Sequence, residues 1–370
     1  MSKTGRVAVL YGEHQDYVIE ELEVPQPGPG EVLIRVKLCG ICGTDVHDWV
    51  GGPAAAWVKY PVVYGHEIVG TIEALGEGFD TDCLGRKVEV GDQVVPGIAY
   101  PCGTCYFCTV VKEPSKCVNS QAYSAILGVR GFTAGFGEYL YMNIPGSTVF
   151  KVDAPPEVAV LLEPASIAVK AVDRAHMLVG STAVIQGAGA IGLMTMLFAK
   201  EAGATKTIVV DSRAKRLALA RELGADYGVD MNEFCTAAER VKRVKELTPG
   251  GYGADTVFEC AGVPAALPEG MDYLRPGGTY VEMGHFLDNG TVEINPCTHL
   301  CSKSITLVTV WAGELTNFVR AIPVLESGKY AFEKLLTHQV PLDRINEAFR
   351  ALEAGEPIDG RETMKVALAL

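Results

Sequence analysis

The 370-residue sequence predicts an α/β protein with two domains: a central doubly wound parallel sheet, and a β-rich, barrel-like domain built from both chain ends. Two features predict this fold. Short strand-like segments separated by Gly and Pro fill residues 1–100, whereas strands and helices alternate from about Pro164 onward. With 48% hydrophobic and 21% charged residues, the composition is that of an ordinary globular protein, and the length allows two cores.

Charge and cysteine content restrict the partners and the compartment. The net charge is −13 and Lys and Arg form no dense run, so neither nucleic acid nor an anionic membrane is an expected partner. No apolar run reaches the ~18 residues of a membrane span, and Met1–Leu10 lacks the features of a secretory signal. Four of the eleven cysteines have metal-site spacing, which favours a reducing, cytoplasmic location.

In the β-rich part, Glu31–Leu38 is the clearest strand. Arg35 and Lys37 alternate with apolar residues there, which predicts one buried face and one exposed face. Further strands are predicted at Glu67–Leu75 and Gln93–Val95.

Cys42, His66 and Glu67 lie close together in sequence among glycines, on either side of one loop. Cys and His are side chains that Zn²⁺ prefers, and a catalytic zinc takes three protein ligands and keeps one position open. Cys42 and His66 would provide two of these ligands, so a third has to come from elsewhere in the chain. The alternative is a buried cysteine and a core histidine that never meet.

A second cysteine group follows, and its members are spaced closely enough to surround one ion: Cys102, Cys105, Cys108 and Cys117. Four thiolates leave no open position, which predicts a structural zinc site. Free or disulfide-bonded loop cysteines are the alternative.

The second half of the chain reads as alternating strands and helices. Thr182–Gln186 is a short apolar strand, a helix continues to about Ala202, and the next strand ends at Asp211. The remaining predicted elements are strands at Ala254–Cys260, Gly278–Met283, Ser304–Val310 and Met364–Leu368, and helices at Pro164–Ala175, Arg213–Leu223, Leu342–Leu352 and after Glu314.

The glycines between that first strand and its helix predict a dinucleotide site. Gly187 permits a tight turn, Gly189 lets the backbone approach a pyrophosphate, and Gly192 allows close contact between helix and strand. The N-terminus of the helix then offers free N–H groups to the phosphates.

Asp211 can accept hydrogen bonds from both ribose hydroxyls and would repel a 2′-phosphate, so NAD is favoured over NADP. Arg213 and Arg216 follow closely, and their positive charges argue in the opposite direction. The alternative is that Asp211 caps the next helix. The predicted cofactor-binding residues here are Gly187, Gly189, Ile191, Gly192, Asp211 and Arg216.

These motifs together resemble the zinc-dependent medium-chain alcohol and polyol dehydrogenases over nearly the whole chain. The resemblance rests on Gly40–Asp45, Gly65–Glu67, the second cysteine group, Leu162–Pro164 and the glycine motif. It implies a GroES-like catalytic domain from residues 1–163 and 313–370, an NAD-binding Rossmann domain at 164–312, and homodimers or homotetramers.

By position, the resemblance implies that Cys42 and His66 are catalytic zinc ligands. Glu163 falls where the alcohol dehydrogenase branch has a Cys ligand and where the sorbitol, threonine and glucose dehydrogenase branch has Glu, so this chain is more similar to that branch. Glu67 matches an acid that can act as an alternative ligand, and Asp45 matches the carboxylate that orients the ligand histidine.

Two further matches are less close. Lys365 falls near a basic residue that contacts the cofactor phosphates in the family. The fourth cysteine of the family's structural site usually comes one residue sooner, where this chain has Lys116; one extra loop residue should still let Cys117 reach the ion.

The resemblance implies reversible hydride transfer between NAD and a zinc-bound alcohol or ketone. Thr44 would pass on the proton of the alcohol and His47 would release it to solvent, unless His47 is an ordinary loop histidine. The expected substrate is a secondary alcohol or polyol. A bulky or cyclic hydrophobic alcohol is the alternative if Trp49, Trp57, Tyr60 and Trp311 line a pocket rather than an interface. A non-catalytic member of the fold is a further alternative, which the intact ligands disfavour.

Overall fold

The computed structural model describes residues 3–52, 58–97, 101–119 and 131–370, so Trp57 lies outside the described residues. The chain divides into two compact units. The first joins Met1–Glu163 to Glu314–Leu370, and the second is Pro164–Gly313. Within the four ranges just given, no helix has both the length and the apolar character needed to cross a membrane.

The strands, in chain order, are β1 (Thr4–Val9), β2 (Val18–Glu23), β3 (Val32–Gly40), β4 (Glu67–Leu75), β5 (Gln93–Pro96), β6 (Tyr139–Met142), β7 (Val149–Lys151), β8 (Thr182–Gln186), β9 (Lys206–Asp211), β10 (Tyr227–Asp230), β11 (Ala254–Glu259), β12 (Leu274–Glu282), β13 (Thr306–Thr309), β14 (Leu336–Pro341) and β15 (Lys365–Ala369). The α-helices are α1 (Gly43–Val50), α2 (Pro156–Ala159), α3 (Leu162–Ala175), α4 (Ala190–Glu201), α5 (Ala214–Glu222), α6 (Ala237–Glu246), α7 (Ala266–Tyr273), α8 (Leu315–Glu326) and α9 (Ile345–Ala354).

The first unit is built on a sheet of order β14-β15-β3-β4-β5-β7, with β6 also paired to β3, beside the separate β1–β2 pair. In β3, Arg35 and Lys37 are exposed while the residues between them are buried, as the alternation predicts. Strand β15 pairs antiparallel with β3, with Ala367 opposite Gly40. Both chain ends therefore contribute to one sheet, which confirms that part of the predicted fold.

The second unit holds a six-stranded parallel sheet of order β10-β9-β8-β11-β12-β13. Counted from β8, this is the order 3-2-1-4-5-6 of a doubly wound dinucleotide-binding sheet, whose direction of winding reverses between β8 and β11. Every residue of β8 is buried, as expected for a strand covered on both faces. The carboxyl ends of the strands beside this reversal form the edge at which ligands bind in such sheets.

Most strand boundaries agree with the sequence to within two residues, but β12 begins at Leu274 rather than Gly278. Leu274 pairs with Ala254, and the register then shifts before Thr279 pairs with Thr256. The Pro-Gly pair at 276–277 causes this irregularity. In sequence it reads as a turn between elements, whereas in the structure it lies inside the strand.

Candidate metal and cofactor sites

One buried carboxylate positions the two candidate zinc ligands, Cys42 and His66. Asp45 lies in the first turn of α1 and is 1% exposed. One of its oxygens accepts a hydrogen bond of 2.8 Å from the backbone N–H of Cys42, and the other lies 3.4 Å from Nδ1 of His66. Because Nδ1 faces Asp45, Nε2 of His66 is the nitrogen left for a metal.

The ligand atoms of Cys42, His66 and Glu67 all lie within 4.8 Å of one another. Burial alone would lower the pKa of His66, but the charges of Asp45 and Cys42 outweigh it and hold that pKa well above its ordinary value. A thiolate, an imidazole and a carboxylate at this separation form a donor set that suits Zn²⁺.

The Glu67 carboxylate is paired with Lys365. Nζ of Lys365 lies 2.6 Å and 2.7 Å from its two oxygens and also donates to the backbone oxygen of Ile41 at 3.2 Å. Both side chains are buried, at 1% and 7% exposure. The three N–H donors of the ammonium are directed at acceptors inside the first unit, and the predicted contact between Lys365 and the cofactor phosphates stays a prediction.

Glu163 lies in the first turn of α3 and is 7% exposed. It is not a member of the group formed by Cys42, His66 and Glu67. Burial raises the pKa of its carboxyl to about 7, while the charge of His66 pulls that pKa down and the charge of Glu67 raises it further. A buried carboxylate with this pKa is costly to ionise, and a cation held beside it would offset the cost. Cys42 and His66 fit a zinc ion, and ligation of that ion by Glu163 stays a prediction.

The two residues predicted to relay a proton, Thr44 and His47, both lie on α1. Thr44 Oγ1 lies 3.7 Å from Sγ of Cys42, and His47, three residues further along the helix, is exposed. Residues three apart share one helix face.

Of the aromatic residues considered for a substrate pocket, the structure describes Trp49, Tyr60 and Trp311, and it places Trp49 in the core. Trp49 is 2% exposed, donates a hydrogen bond to the backbone oxygen of Gln15 and packs against Phe349 at a ring-centroid distance of 5.7 Å. Trp49 is therefore a core residue. Trp311, in the second unit, is 62% exposed.

The second cysteine group converges on one point. Its four sulfurs lie within 4.8 Å of one another, and Cys105 Sγ is 3.5 Å from that of Cys108 and 3.8 Å from that of Cys117. Thiolates on one tetrahedral zinc are separated by about 3.8 Å, whereas disulfide sulfurs are bonded at about 2.05 Å. A hydrogen bond from the Thr104 side chain, more than any other contact, lowers the pKa of Cys102 to about 5, as suits a thiolate ligand.

The glycine loop has the geometry that a dinucleotide needs. Gly187 has φ 94°, which only glycine adopts without strain. A Cβ on Gly192 would lie 1.9 Å from the backbone oxygen of Gly187, so helix α4 could not approach the loop with any other residue there. A Cβ on Gly189 would meet only Arg216, at 3.9 Å, which leaves room for a ligand along the N-terminus of the helix.

Asp211 ends β9 beside this loop. Its two oxygens accept hydrogen bonds of 2.7 Å from the backbone N–H groups of Ala188 and Arg213. Each carboxylate oxygen has a second lone pair, so the side chain can still accept from a ribose hydroxyl. Asp211 does not act as a side-chain cap of α5, whose N-cap residue is Arg213.

Comparisons with known proteins identify the family. Residues 28–154 match the family model of the alcohol dehydrogenase GroES-like domain, and residues 190–327 match that of the zinc-binding dehydrogenase. The chain is 33% identical to an erythritol/L-threitol dehydrogenase from Mycolicibacterium smegmatis, over 98% of this chain and 97% of that protein. It is also 33% identical to an L-threonine 3-dehydrogenase from Pyrococcus horikoshii, over 91% of this chain and 92% of that protein.

Among solved structures, an alcohol dehydrogenase from Thermotoga maritima superimposes with a TM-score of 0.90 at 30% identity and covers 100% of both chains. Similarity of this extent, in both sequence and fold, shows the family. The chain belongs to the zinc-dependent medium-chain alcohol and polyol dehydrogenases, and is an oxidoreductase that acts on a small-molecule alcohol.

Proposed function

We propose that the chain catalyses reversible hydride transfer between NAD and a small polyol or related secondary alcohol, at a zinc held by Cys42, His66 and Glu163. The observation that carries this is the arrangement around Asp45, which fixes Cys42 and His66 within reach of each other in the unit that also buries Glu163. Glu67 is a less suitable third ligand because Lys365 already neutralises it.

Zinc would supply a Lewis acid that lowers the pKa of a bound alcohol, and NAD would accept the hydride. The protein's own residues carry the proton. Thr44, beside Cys42, would accept the proton of the substrate hydroxyl while donating its own hydroxyl proton onward, and exposed His47 on the same helix face would receive a proton and release it to water. Asp45 keeps His66 oriented throughout, and the Lys365 ammonium prevents the Glu67 carboxylate from adding a further negative charge.

The substrate class follows from the relatives and from the core position of Trp49. The names of both relatives describe small polar substrates, a tetritol and a hydroxy amino acid. Because Trp49 belongs to the core, one argument for a bulky hydrophobic alcohol is removed. NAD reduction measured with tetritols, pentitols, threonine and cyclohexanol tests this proposal. Turnover of cyclohexanol alone would contradict it.

NAD rather than NADP is the proposed cofactor because of Asp211. Asp211→Ser should weaken NAD binding by roughly 10- to 150-fold, since a hydrogen bond to a charged group contributes about 1.5–3 kcal/mol, and should weaken NADP binding less. Fluorescence titration of both cofactors measures this. Asp211→Asn is the matched control, because its amide oxygen can still accept one of the two backbone N–H groups. A wild-type protein that binds NADP more tightly would contradict the proposal.

We further propose a second, structural zinc in the second cysteine group. Cys105→Ser should lower the zinc content from two to one per chain and reduce thermal stability, because the remaining thiolates would lack a common ion. Elemental analysis after gel filtration measures the zinc. Cys235→Ser, at an exposed cysteine outside the group, should leave the zinc content unchanged. Equal zinc in wild type and Cys105→Ser would exclude this site.

An exposed edge strand of the second unit supports a homo-oligomer. Strand β13 is one of the two edge strands of the parallel sheet in the described part of the chain, and Leu307 on it is 46% exposed. An exposed edge strand can pair with the same strand of a second copy about a two-fold axis. We propose a homodimer formed in this way, alone or within a homotetramer, which sedimentation equilibrium would detect.

A further inference from the structure

Two adjacent parallel strands of the second unit end in glutamates at the same position. Glu259 is the last residue of β11, Glu282 is the last residue of β12, and the two are paired in the sheet register. Neighbouring parallel strands lie about 4.8 Å apart, and residues in register project from the same face. The two carboxylates are therefore side by side at the carboxyl edge of the sheet.

Each carboxylate uses one oxygen to hold its own loop. Oε1 of Glu259 accepts hydrogen bonds of 2.9 Å and 2.8 Å from the backbone N–H groups of Ala261 and Gly262. Oε1 of Glu282 accepts one of 3.2 Å from Gly284, and lies 2.9 Å from Nδ1 of His285. These contacts account for one oxygen of each carboxylate.

The other oxygen of each carboxylate is buried and has no hydrogen-bond partner among the described residues. Glu259 as a whole is 0% exposed. The His285 ring lies near its Oε2, with Nδ1 3.6 Å away. A Cβ on Gly284 would come within 2.1 Å of this oxygen, so the loop after β12 closes directly over it.

Two carboxylates side by side, Glu259 fully buried and Glu282 partly buried, repel each other, and a buried oxygen without a partner is costly. Burial, and then the charge of Glu282, raise the pKa of Glu259 to about 7. A proton shared between the two acids would relieve part of this cost. A bound cation would relieve it fully, since it would neutralise both charges and give both orphan oxygens a partner.

The donor types favour the cation. One ligand atom from each of Glu259, Glu282 and His285 lies within 4.8 Å of the other two. Two carboxylate oxygens and one imidazole nitrogen are ligands that Zn²⁺ and Mn²⁺ accept, and three protein ligands leave room for water.

We propose that Glu259, Glu282 and His285 form a binding site for a divalent transition-metal cation such as Mn²⁺ or Zn²⁺. The cation would join the loops that follow β11 and β12. The first of these lies against the glycine loop, because a Cβ on Gly187 would be 3.0 Å from the backbone nitrogen of Ala261. The site shares no residue with the second cysteine group or with the site of Cys42 and His66.

The test compares wild type with Glu282→Gln, which keeps an oxygen for the loop N–H groups but removes the charge. Zinc-containing protein is titrated with Mn²⁺, free Mn²⁺ is followed by electron paramagnetic resonance, and total zinc plus manganese is counted per chain. Wild type should hold one more cation per chain than Glu282→Gln. Glu293→Gln, at an exposed glutamate between β12 and β13, should match wild type.

His285→Ala is a second test, needed because Glu282→Gln could act through folding alone. It removes a ligand but leaves both carboxylates that accept hydrogen bonds from the loop N–H groups. It should lose the same cation. If wild type and both variants hold equal numbers of cations, the proposal is overturned and the two acids share a proton instead. In that case Glu282→Gln, whose amide can donate to Oε2 of Glu259, should keep the thermal midpoint of wild type.

Discussion

Glu163→Ala is expected to lose one zinc per chain and nearly all turnover while it binds NAD as tightly as wild type. Cys42 and His66 alone provide two ligands, too few to retain zinc at a catalytic site. The glycine loop and Asp211 belong to the other compact unit and are not altered. Zinc content, turnover and NAD affinity measured on the same preparation separate this result from general misfolding.

Glu163→Cys is the matched variant. It restores three ligands, so zinc should remain. Because a thiolate donates more electron density than a carboxylate, the pH–rate profile should move toward higher pH. Full zinc and normal turnover in Glu163→Ala would show that Glu163 is not a ligand. Glu67, already within 4.8 Å of the other two donors, would then take its place.

Lys365→Met is expected to be the most destabilising single change near the candidate zinc site. Removing one partner of a buried ion pair costs about 3–5 kcal/mol, because the other charge remains buried without compensation. Here that charge is the Glu67 carboxylate, both of whose oxygens face Lys365. The urea dependence of the circular dichroism signal measures the loss in the free energy of unfolding.

The double variant Glu67→Gln/Lys365→Met is the control, because it removes both charges and should recover a large part of that loss. Lys365→Arg, which keeps the charge, should lose less than the methionine variant. A loss below about 1 kcal/mol for Lys365→Met would contradict the account, since that is the level of an exposed ion pair.

What the sequence predicted correctly depends mainly on local pattern. Strand β8, helix α4 and the glycine loop follow one another within a few residues, and hydrophobic periodicity with glycine spacing is sufficient to place them. The bounds predicted for β4 and β8 match the structure because both strands are uninterrupted. The predicted start of β12, Gly278, lies after the observed start, Leu274. The sequence does not show the earlier start, because the register shift that accommodates the Pro-Gly pair is set by pairing with β11.

Contacts between distant residues were not predictable in the same way. Lys365 and Glu67 are 298 residues apart in sequence. Their ion pair exists because β15 and β4 both pair with β3, and β4 begins at Glu67. Likewise, Glu259 and Glu282 are ordinary strand-end acids in sequence. Their partnership requires β11 and β12 to be neighbours in register, although the recurrence of Glu at two successive strand ends was a signal that could have suggested it.

The central claim is that a zinc ion is bound by Cys42, His66 and Glu163. A crystal structure of the zinc-loaded protein, with anomalous difference maps from data above and below the zinc absorption edge, tests it most directly. We expect one peak within bonding distance of Sγ of Cys42, Nε2 of His66 and a carboxylate oxygen of Glu163. A peak bound by Cys42, His66 and Glu67 with Glu163 out of reach, or no peak beside Cys42, would contradict it.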